Sequence, residues 1–251
     1  MRDQASGWIQ LSSIEFFLVW TSLGLGDPPV PLEVTHVGRT SASRAGMADE
    51  ASRALAARDL GTVDEPARDL ALVLRQLAGD GLTLDLRVLG SGSPLVGYAT
   101  AGERGAAVAA RVDGEIRVGS VRAGAVAGDL LASLPPARAG TGRPANIPLV
   151  EYENACAEAQ RDGVTGFTRA LHDAGVRQED VSVLVKALTT RRGGGQLGAS
   201  YRGSRAPGLL TWLDGEDGRY ALRRHGVWLT VTPADLARLT SMAEEMVEDL
   251  R

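Results

Sequence analysis

The sequence predicts an α+β (mixed α/β) fold, in which a central, mostly antiparallel sheet is flanked by helical bundles. Two observations support this prediction. The order of helices, an alternating strand, hairpins and a further helix occurs twice along the chain, and such a repeat indicates two halves, here expected to be related by a pseudo-twofold axis. The turns between the predicted strands are too short for parallel crossovers, which favours antiparallel pairing.

The first copy begins with a short strand at 9–11. Ser12 and Glu15 then form the pattern of a capping box, which marks the start of a helix. Asp113-Gly114 is a strong two-residue hairpin signal between the fourth and fifth strands of this half. The remaining predicted elements are helices at 43–60, after Pro66 and at 126–134, and strands at 82–89, 95–100, 106–112 and 115–121.

The second copy repeats this order after a segment rich in Pro and Gly. His225-Gly226 supplies its last hairpin turn, and Thr232 is the expected cap of its final helix. The predicted helices are at 150–161, 164–174, 179–190 and from 233 onward, and the strands are at 196–202, 208–213, 219–224 and 227–231. The expected organisation is an N-terminal half at 1–134, a linker at 135–147 and a C-terminal half at 148–251, together one compact domain.

A repeated four-residue pattern supports the duplication. Gly102-Glu103-Arg104-Gly105 and Gly215-Glu216-Asp217-Gly218 share the form G-E-x-G, and an arginine follows six residues after the last glycine of each. The four-residue match is weak by itself, but the same order of elements surrounds both copies. We therefore expect the two patterns to be equivalent turns.

Composition argues against several classes of protein. The net charge is −4 and Lys186 is the only lysine, whereas nucleic-acid binding needs a concentrated basic surface. Cys156 is the only cysteine, so no internal disulfide is expected. The apolar stretch at 14–25 contains Glu15 and is too short to span a bilayer, so it predicts a core helix and not a signal peptide.

Residues with catalytic or ligand-binding potential are scattered. His36, His172 and His225 lack the spacing of a zinc site, and Cys156 has the surroundings of a small core residue. The stretches Gly90-Ser91-Gly92-Ser93 and 191–195 do not precede a helix as a phosphate-binding loop would, so they are interpreted as flexible connections or as surface for a partner. The sequence therefore predicts no cofactor, no metal and no enzymatic activity.

Three blocks of sequence resemble the EspG family of ESX (type VII) secretion-associated proteins. They are IQLSSIEFFLVWTSLGLGDPPVPLEV at 9–34, RVDGEIRVGSVRAGAVAGDLLASLPPARAGTGRPANIPLVEYENA, and GGGQLGASYRG through LTWLDGEDGRYALRRHGVWLTVTPADLARL. The runs D-x-x-x-G-R-Y and W-x-T-V-x-P-A are similar to the C-terminal pattern of this family. The likeness extends over essentially the whole chain.

The resemblance implies a cytoplasmic specificity chaperone that binds PE–PPE heterodimers at the PPE tip, keeps them soluble and delivers them for secretion. It implies partner contacts in the 90–94 loop and in the helical bundle at 164–190, although this loop is short for the family. The residues expected to contact the partner are Leu89, Gly90, Ser91, Gly92, Ser93, Leu95, Phe167, Leu171, Val185, Thr189, Arg191 and Arg192.

Other interpretations remain open at this stage. The chain could be an ESX-associated adaptor or scaffold that binds the secretion machinery, including its ATPase, and not the PE–PPE cargo. It could also be an enzyme with an unrecognised site or a nucleic-acid binder. We expect no nucleic acid and no membrane insertion, and a monomer or weak homodimer in the free state.

Overall fold

The computed structural model describes residues 7–38, 40–90 and 92–250. In these residues the helices are α1 (Ser13–Ser22), α2 (Ser41–Ala56), α3 (Arg68–Leu77), α4 (Val126–Leu131), α5 (Leu149–Asp173), α6 (Gln178–Thr189) and α7 (Leu236–Glu248). The strands are β1 (Ile9–Ser12), β2 (Leu82–Leu89), β3 (Leu95–Gly102), β4 (Gly105–Val112), β5 (Glu115–Val121), β6 (Ala145–Pro148), β7 (Arg191–Tyr201), β8 (Ser204–Arg205), β9 (Leu210–Gly215), β10 (Gly218–His225) and β11 (Trp228–Pro233).

The described chain divides into two compact units. The first contains the described parts of Met1–Arg87, Ser93–Ser133 and Ala199–Arg205, and the second contains those of Val88–Gly92, Leu134–Gly198 and Ala206–Arg251. Strands β2 and β7 therefore contribute residues to both units. The boundaries expected from the sequence, at 134 and 148, stay a prediction.

The first unit has the strand order β1-β5-β4-β3-β2. Its hairpins are tight and antiparallel, and Val112 pairs with Glu115 across the Asp113-Gly114 turn, where both turn residues have positive φ. Apolar residues of α1, α2 and α3 form one core with β1, β4 and β5. The short helix α4 contacts β3 and β4. Ala110 of β4 points to the face of the sheet opposite to this core, because its neighbours along the strand enter the core.

The start of α1 shows how the sequence defines a local structure. The Ser12 side chain accepts a hydrogen bond from the Glu15 backbone (3.2 Å), and the Ser12 backbone donates to the Glu15 carboxylate (2.8 Å). This is the predicted capping box. The carboxylate of Glu15 is buried and also pairs with Arg58, so the cap joins the first helix to the end of the second.

The second unit has the strand order β7-β9-β10-β11-β6. Apolar residues of α5 and α6 form a core with β6, β9, β10 and β11. Helix α5 is kinked at Gly163, whose backbone (φ 59°, ψ −144°) lies where only glycine is readily accommodated. The sequence predicted two helices that meet at this point, and the structure has one helix with a break.

The two units have the same order of elements. Each has an outer strand, then helices, then a meander of four main strands, then a further helix. Gly102 pairs with Gly105 and Gly215 with Gly218, so both G-E-x-G patterns form the turn that joins the second and third strands of a meander. The predicted α+β fold is confirmed.

Three local predictions were wrong. Part of the expected 135–147 linker forms strand β6, and Asp235, not Thr232, caps the last helix by accepting a hydrogen bond from the Arg238 backbone (2.9 Å). The expected glycine-rich break at 191–195 is the first half of β7. Glycine is required there because a Cβ on Gly194, with φ +152°, would lie 2.2 Å from the Trp212 carbonyl oxygen.

The rest of the expected linker is bound to β10. The Arg219 backbone N–H donates to the Arg138 carbonyl, and the Gly140 N–H donates to the Arg219 carbonyl (both 2.8 Å). The Tyr220 hydroxyl accepts from the Thr141 backbone N–H (3.0 Å) and donates to its carbonyl (3.2 Å). This segment is therefore part of the folded second unit.

Candidate partner-binding surface

The end of β2 presents an exposed leucine on the second unit. Leu89 is 51% exposed, and Gly90 follows it beside Gly193 of β7. The two backbones approach so closely that a Cβ on Gly193 would lie 2.9 Å from the Leu89 carbonyl oxygen. Glycine at 193 is therefore what allows Leu89 to lie next to the beginning of β7.

The end of α6 continues into β7 with further candidate residues. Val185 and Thr189 are one helical turn apart, and the Thr189 hydroxyl donates to the Val185 carbonyl (2.8 Å). Val185 is half-buried against the core, whereas Thr189 and Arg191 are exposed. Arg192 is exposed and pairs with Glu216 (2.8 Å).

Two acidic residues support this surface, a role that the sequence did not predict. Glu216 and Asp217 occupy the β9–β10 turn, where Glu216 pairs with Arg192 and Asp217 with Lys186 (both 2.8 Å). Lys186 also donates to the Thr141 hydroxyl (2.9 Å). The hydrogen bond that Lys186 donates to Asp217 raises the pKa of Lys186 above its usual value. Nothing local in the sequence indicated these pairs, because the two carboxylates and their cations lie far apart along the chain.

Phe167 and Leu171 are core residues. They are 5% and 0% exposed, and they pack with α6 and the sheet of the second unit. Phe167 also contacts Tyr152 edge to face, with 6.1 Å between ring centres. The two side chains are therefore not accessible for the contact with a partner expected from the sequence. They can affect binding only by supporting the helix that carries them.

The 90–94 loop is divided between the units. Gly92 is exposed and belongs to the second unit, whereas Ser93 and Leu95 belong to the first. Ser93 is exposed and Leu95 is buried. Ser91 lies outside the described residues.

The described residues offer little for catalysis or metal binding. Within them, no group of three or more His, Cys, Asp or Glu side chains could hold a metal ion. Cys156 is a half-buried free thiol beside Tyr152. Burial, then the hydrogen bond with Cys156, raises the pKa of Tyr152 to about 12. In the same described ranges, no helix is long and apolar enough to cross a membrane.

The tryptophans differ in exposure. Trp20 and Trp212 are buried, and Trp228 is 46% exposed. Aromatic side chains exposed in this way are frequent anchors of protein interfaces.

Exposed apolar and cationic side chains lie together at this surface, as they do at the interfaces of protein-binding modules. The model of the EspG family matches residues 12–245, and the chain belongs to this family. Fourteen chains of solved structures match it. One is the Mycobacterium tuberculosis type VII secretion system chaperone EspG5 in complex with a PE25–PPE41 dimer. The likeness has a TM-score of 0.75 at 18% identity and covers 97% of this chain and 96% of that one. No curated protein matches the chain significantly.

Proposed function

We propose that this chain is a cytoplasmic specificity chaperone of type VII (ESX) secretion that binds a PE–PPE heterodimer at the PPE tip. It keeps the pair soluble and delivers it for secretion. The observation that carries the proposal is membership of the EspG family over residues 12–245, together with the fold shared with EspG5, whose structure contains a PE25–PPE41 dimer.

The contact surface in this proposal comprises the exposed or half-buried candidates of the second unit, which are Leu89, Gly90, Gly92, Val185, Thr189, Arg191 and Arg192. The tip of a helical bundle exposes apolar side chains, and such patches aggregate when they are not covered. Leu89 and Val185 supply the complementary apolar contact. The complex is expected to bury about 1,200–2,000 Å² in total.

Charged residues at the edge of this surface orient the partner in the complex. Arg191 makes no ion pair within the described residues, and Arg192 is neutralised by an exposed glutamate. A guanidinium at the rim of an interface contributes more to orientation and to the rate of association than to affinity. We therefore expect Arg191 to face a carboxylate of the partner.

The remaining properties follow from this role. The chain works by binding and release, without a cofactor and without catalysis. Its net charge of −4 disfavours nucleic acid as a partner. In the free state we expect a monomer or a weak homodimer.

Co-expression with a co-encoded PE–PPE pair, followed by size exclusion with light scattering, tests the proposal. We expect a complex of one chaperone and one heterodimer. Leu89→Asp places a charge in the apolar contact and should lower the affinity at least about tenfold, since burying an unpaired charge is costly. The matched control is Leu72→Asp on α3, because Leu72 is equally exposed, at 50%, and belongs to the first unit.

Two results would count against the proposal. One is separate migration of the chain and every co-encoded PE–PPE pair. The other is an equal loss of binding in the Leu72 and Leu89 variants, which would show that the contact surface is wrongly assigned.

The alternative is an adaptor or scaffold of the secretion apparatus. Pull-down from native cytosol distinguishes the two roles, because a chaperone retains PE–PPE cargo and an adaptor retains the ATPase or membrane components of the ESX machinery.

A further inference from the structure

The first unit contains a groove on the face of its sheet that carries α4. It has a volume of about 670 Å³, and Leu95, Ala110 and Val112 contribute its apolar part. Trp8 lies at one side, and Ala132, just after α4, lies at the other. Val112 is 36% exposed, so apolar surface is accessible in the groove.

The second unit has different residues at the place equivalent to this groove. Ala110 is the fifth residue after the turn glycine Gly105, and Arg223 is the fifth after Gly218. The long helix α7 lies over Arg223, whose guanidinium pairs with Glu245 (2.9 Å) and Asp249 (3.1 Å).

The first unit lacks both parts of this arrangement. The helix that follows its meander, α4, has only six residues, whereas α7 has thirteen. Alanine replaces the arginine below it. The groove therefore lies where the second unit has the Arg223 side chain and the last turns of α7, which leave a pocket beside them.

The charges around the groove are mainly negative. Asp113, Glu115 and Asp129 line it, with Arg117 as the one cation among its lining residues. In the described part of the chain none of these four residues makes an ion pair, and Glu115 only accepts a hydrogen bond from Gln10. An acidic rim around apolar surface favours an occupant with cationic and apolar side chains.

We propose that this groove docks a short helical segment of a partner protein, with an apolar stripe flanked by Lys or Arg. The segment takes the place that the end of α7 has in the other unit. The end of α7 from a second copy of this chain does not fit, because it is acidic and would face the acidic rim. The acidic residues at that end are Glu244, Glu245, Glu248 and Asp249.

The test uses two peptides that copy residues 239–250. In one, the four carboxylates are each replaced by Lys, and the other keeps the natural sequence. Fluorescence polarisation with the full chain should show saturable binding of the basic peptide, and the natural peptide should bind at least about tenfold more weakly. Binding should weaken with salt, because exposed charges are screened.

Two variants locate the binding site. Ala110→Arg introduces the side chain that the second unit has, fills the groove, and should reduce binding of the basic peptide at least tenfold. Asp113→Asn with Asp129→Asn removes charge and leaves the groove open. Asn tolerates the positive φ of Asp113 (53°), so this variant should keep the fold and weaken binding severalfold.

The outcomes are distinct from those of the cargo experiment. Leu89→Asp should bind the basic peptide normally, and Ala110→Arg should still bind PE–PPE cargo. The proposal is overturned if the basic peptide fails to bind at about 1 mM, if both peptides bind equally, or if binding survives in both groove variants.

Discussion

The ion pair of Arg219 with Asp214 offers the sharpest test of the fold. The Arg219 side chain is 1% exposed, and its Nε lies 2.6 Å from Asp214 Oδ1. Its Nη2 donates to Asp214 Oδ2 (3.3 Å) and to the Pro135 carbonyl (3.2 Å), and the guanidinium lies 6.0 Å from the centre of the Trp212 ring. The pair thus anchors the 135–143 segment to the sheet of the second unit.

Asp214→Ala leaves a buried guanidinium with the Pro135 carbonyl as the one hydrogen-bond acceptor that remains among the described residues. Removal of one partner of a buried pair costs about 3–5 kcal/mol. Asp214 is 28% exposed, so water can partly replace the carboxylate and the lower end, about 3 kcal/mol, is expected. At about 2–4 °C per kcal/mol, the melting temperature should fall by roughly 6–12 °C.

Urea denaturation followed by tryptophan fluorescence measures this change, since Trp212 is next to the pair. Glu216→Ala is the matched control, because it removes an exposed carboxylate from the adjacent turn and should cost at most about 1 kcal/mol. Equal losses in the two variants would refute the assignment of Arg219 as a buried, charge-dependent anchor.

Three further predictions concern stability. The pKa of Tyr152 is higher in the folded chain, so this hydroxyl ionises at lower pH in the unfolded chain, and stability should fall as pH rises from about 10 to about 12. Urea midpoints at pH 9 and 11 measure this change, and Tyr152→Phe should reduce the dependence of stability on pH. Gly140→Ala should destabilise the folded chain, because the new Cβ would lie 2.3 Å from the Tyr220 ring. A melting temperature above that of the wild type would contradict this prediction. Gly46→Ala, inside α2 with open space around it, should instead stabilise by about 0.5–1 kcal/mol in the same melt.

The elements that the sequence predicted well depend on local chemistry. Ser12 and Glu15 satisfy each other's backbone groups at the start of α1, and Asp113-Gly114 takes positive φ in a two-residue turn. Both effects involve residues that are neighbours along the chain. Strand β5 was accordingly predicted with its observed bounds.

The elements that the sequence missed depend on distant partners. Strand β6 contains Pro148 and is a strand because it pairs with β11. Glycine is needed within strand β7 because other backbones approach it too closely for a side chain, as the Leu89 backbone does at Gly193. Residue type alone predicted flexibility at both places.

The candidate surface shows the same division. Leu89 and Arg191 are exposed, because they lie at the end of one strand and the start of another, and their contact with a partner stays a prediction. The burial of Phe167 and Leu171 depends on how α5 packs, and the pairing of Glu216 and Asp217 with α6 and β7 depends on the meander.

The single lysine has a practical consequence. Lys186 holds the only side-chain amine of the chain, and it lies on α6 one turn before Thr189, engaged by Asp217 and Thr141. An amine-directed label or crosslinker therefore has one side-chain target, beside the surface assigned to the cargo. Asp217 stabilises the protonated amine and so slows the reaction. A bound PE–PPE dimer covering this face should slow it further, so labelling kinetics can report occupancy without any engineered residue.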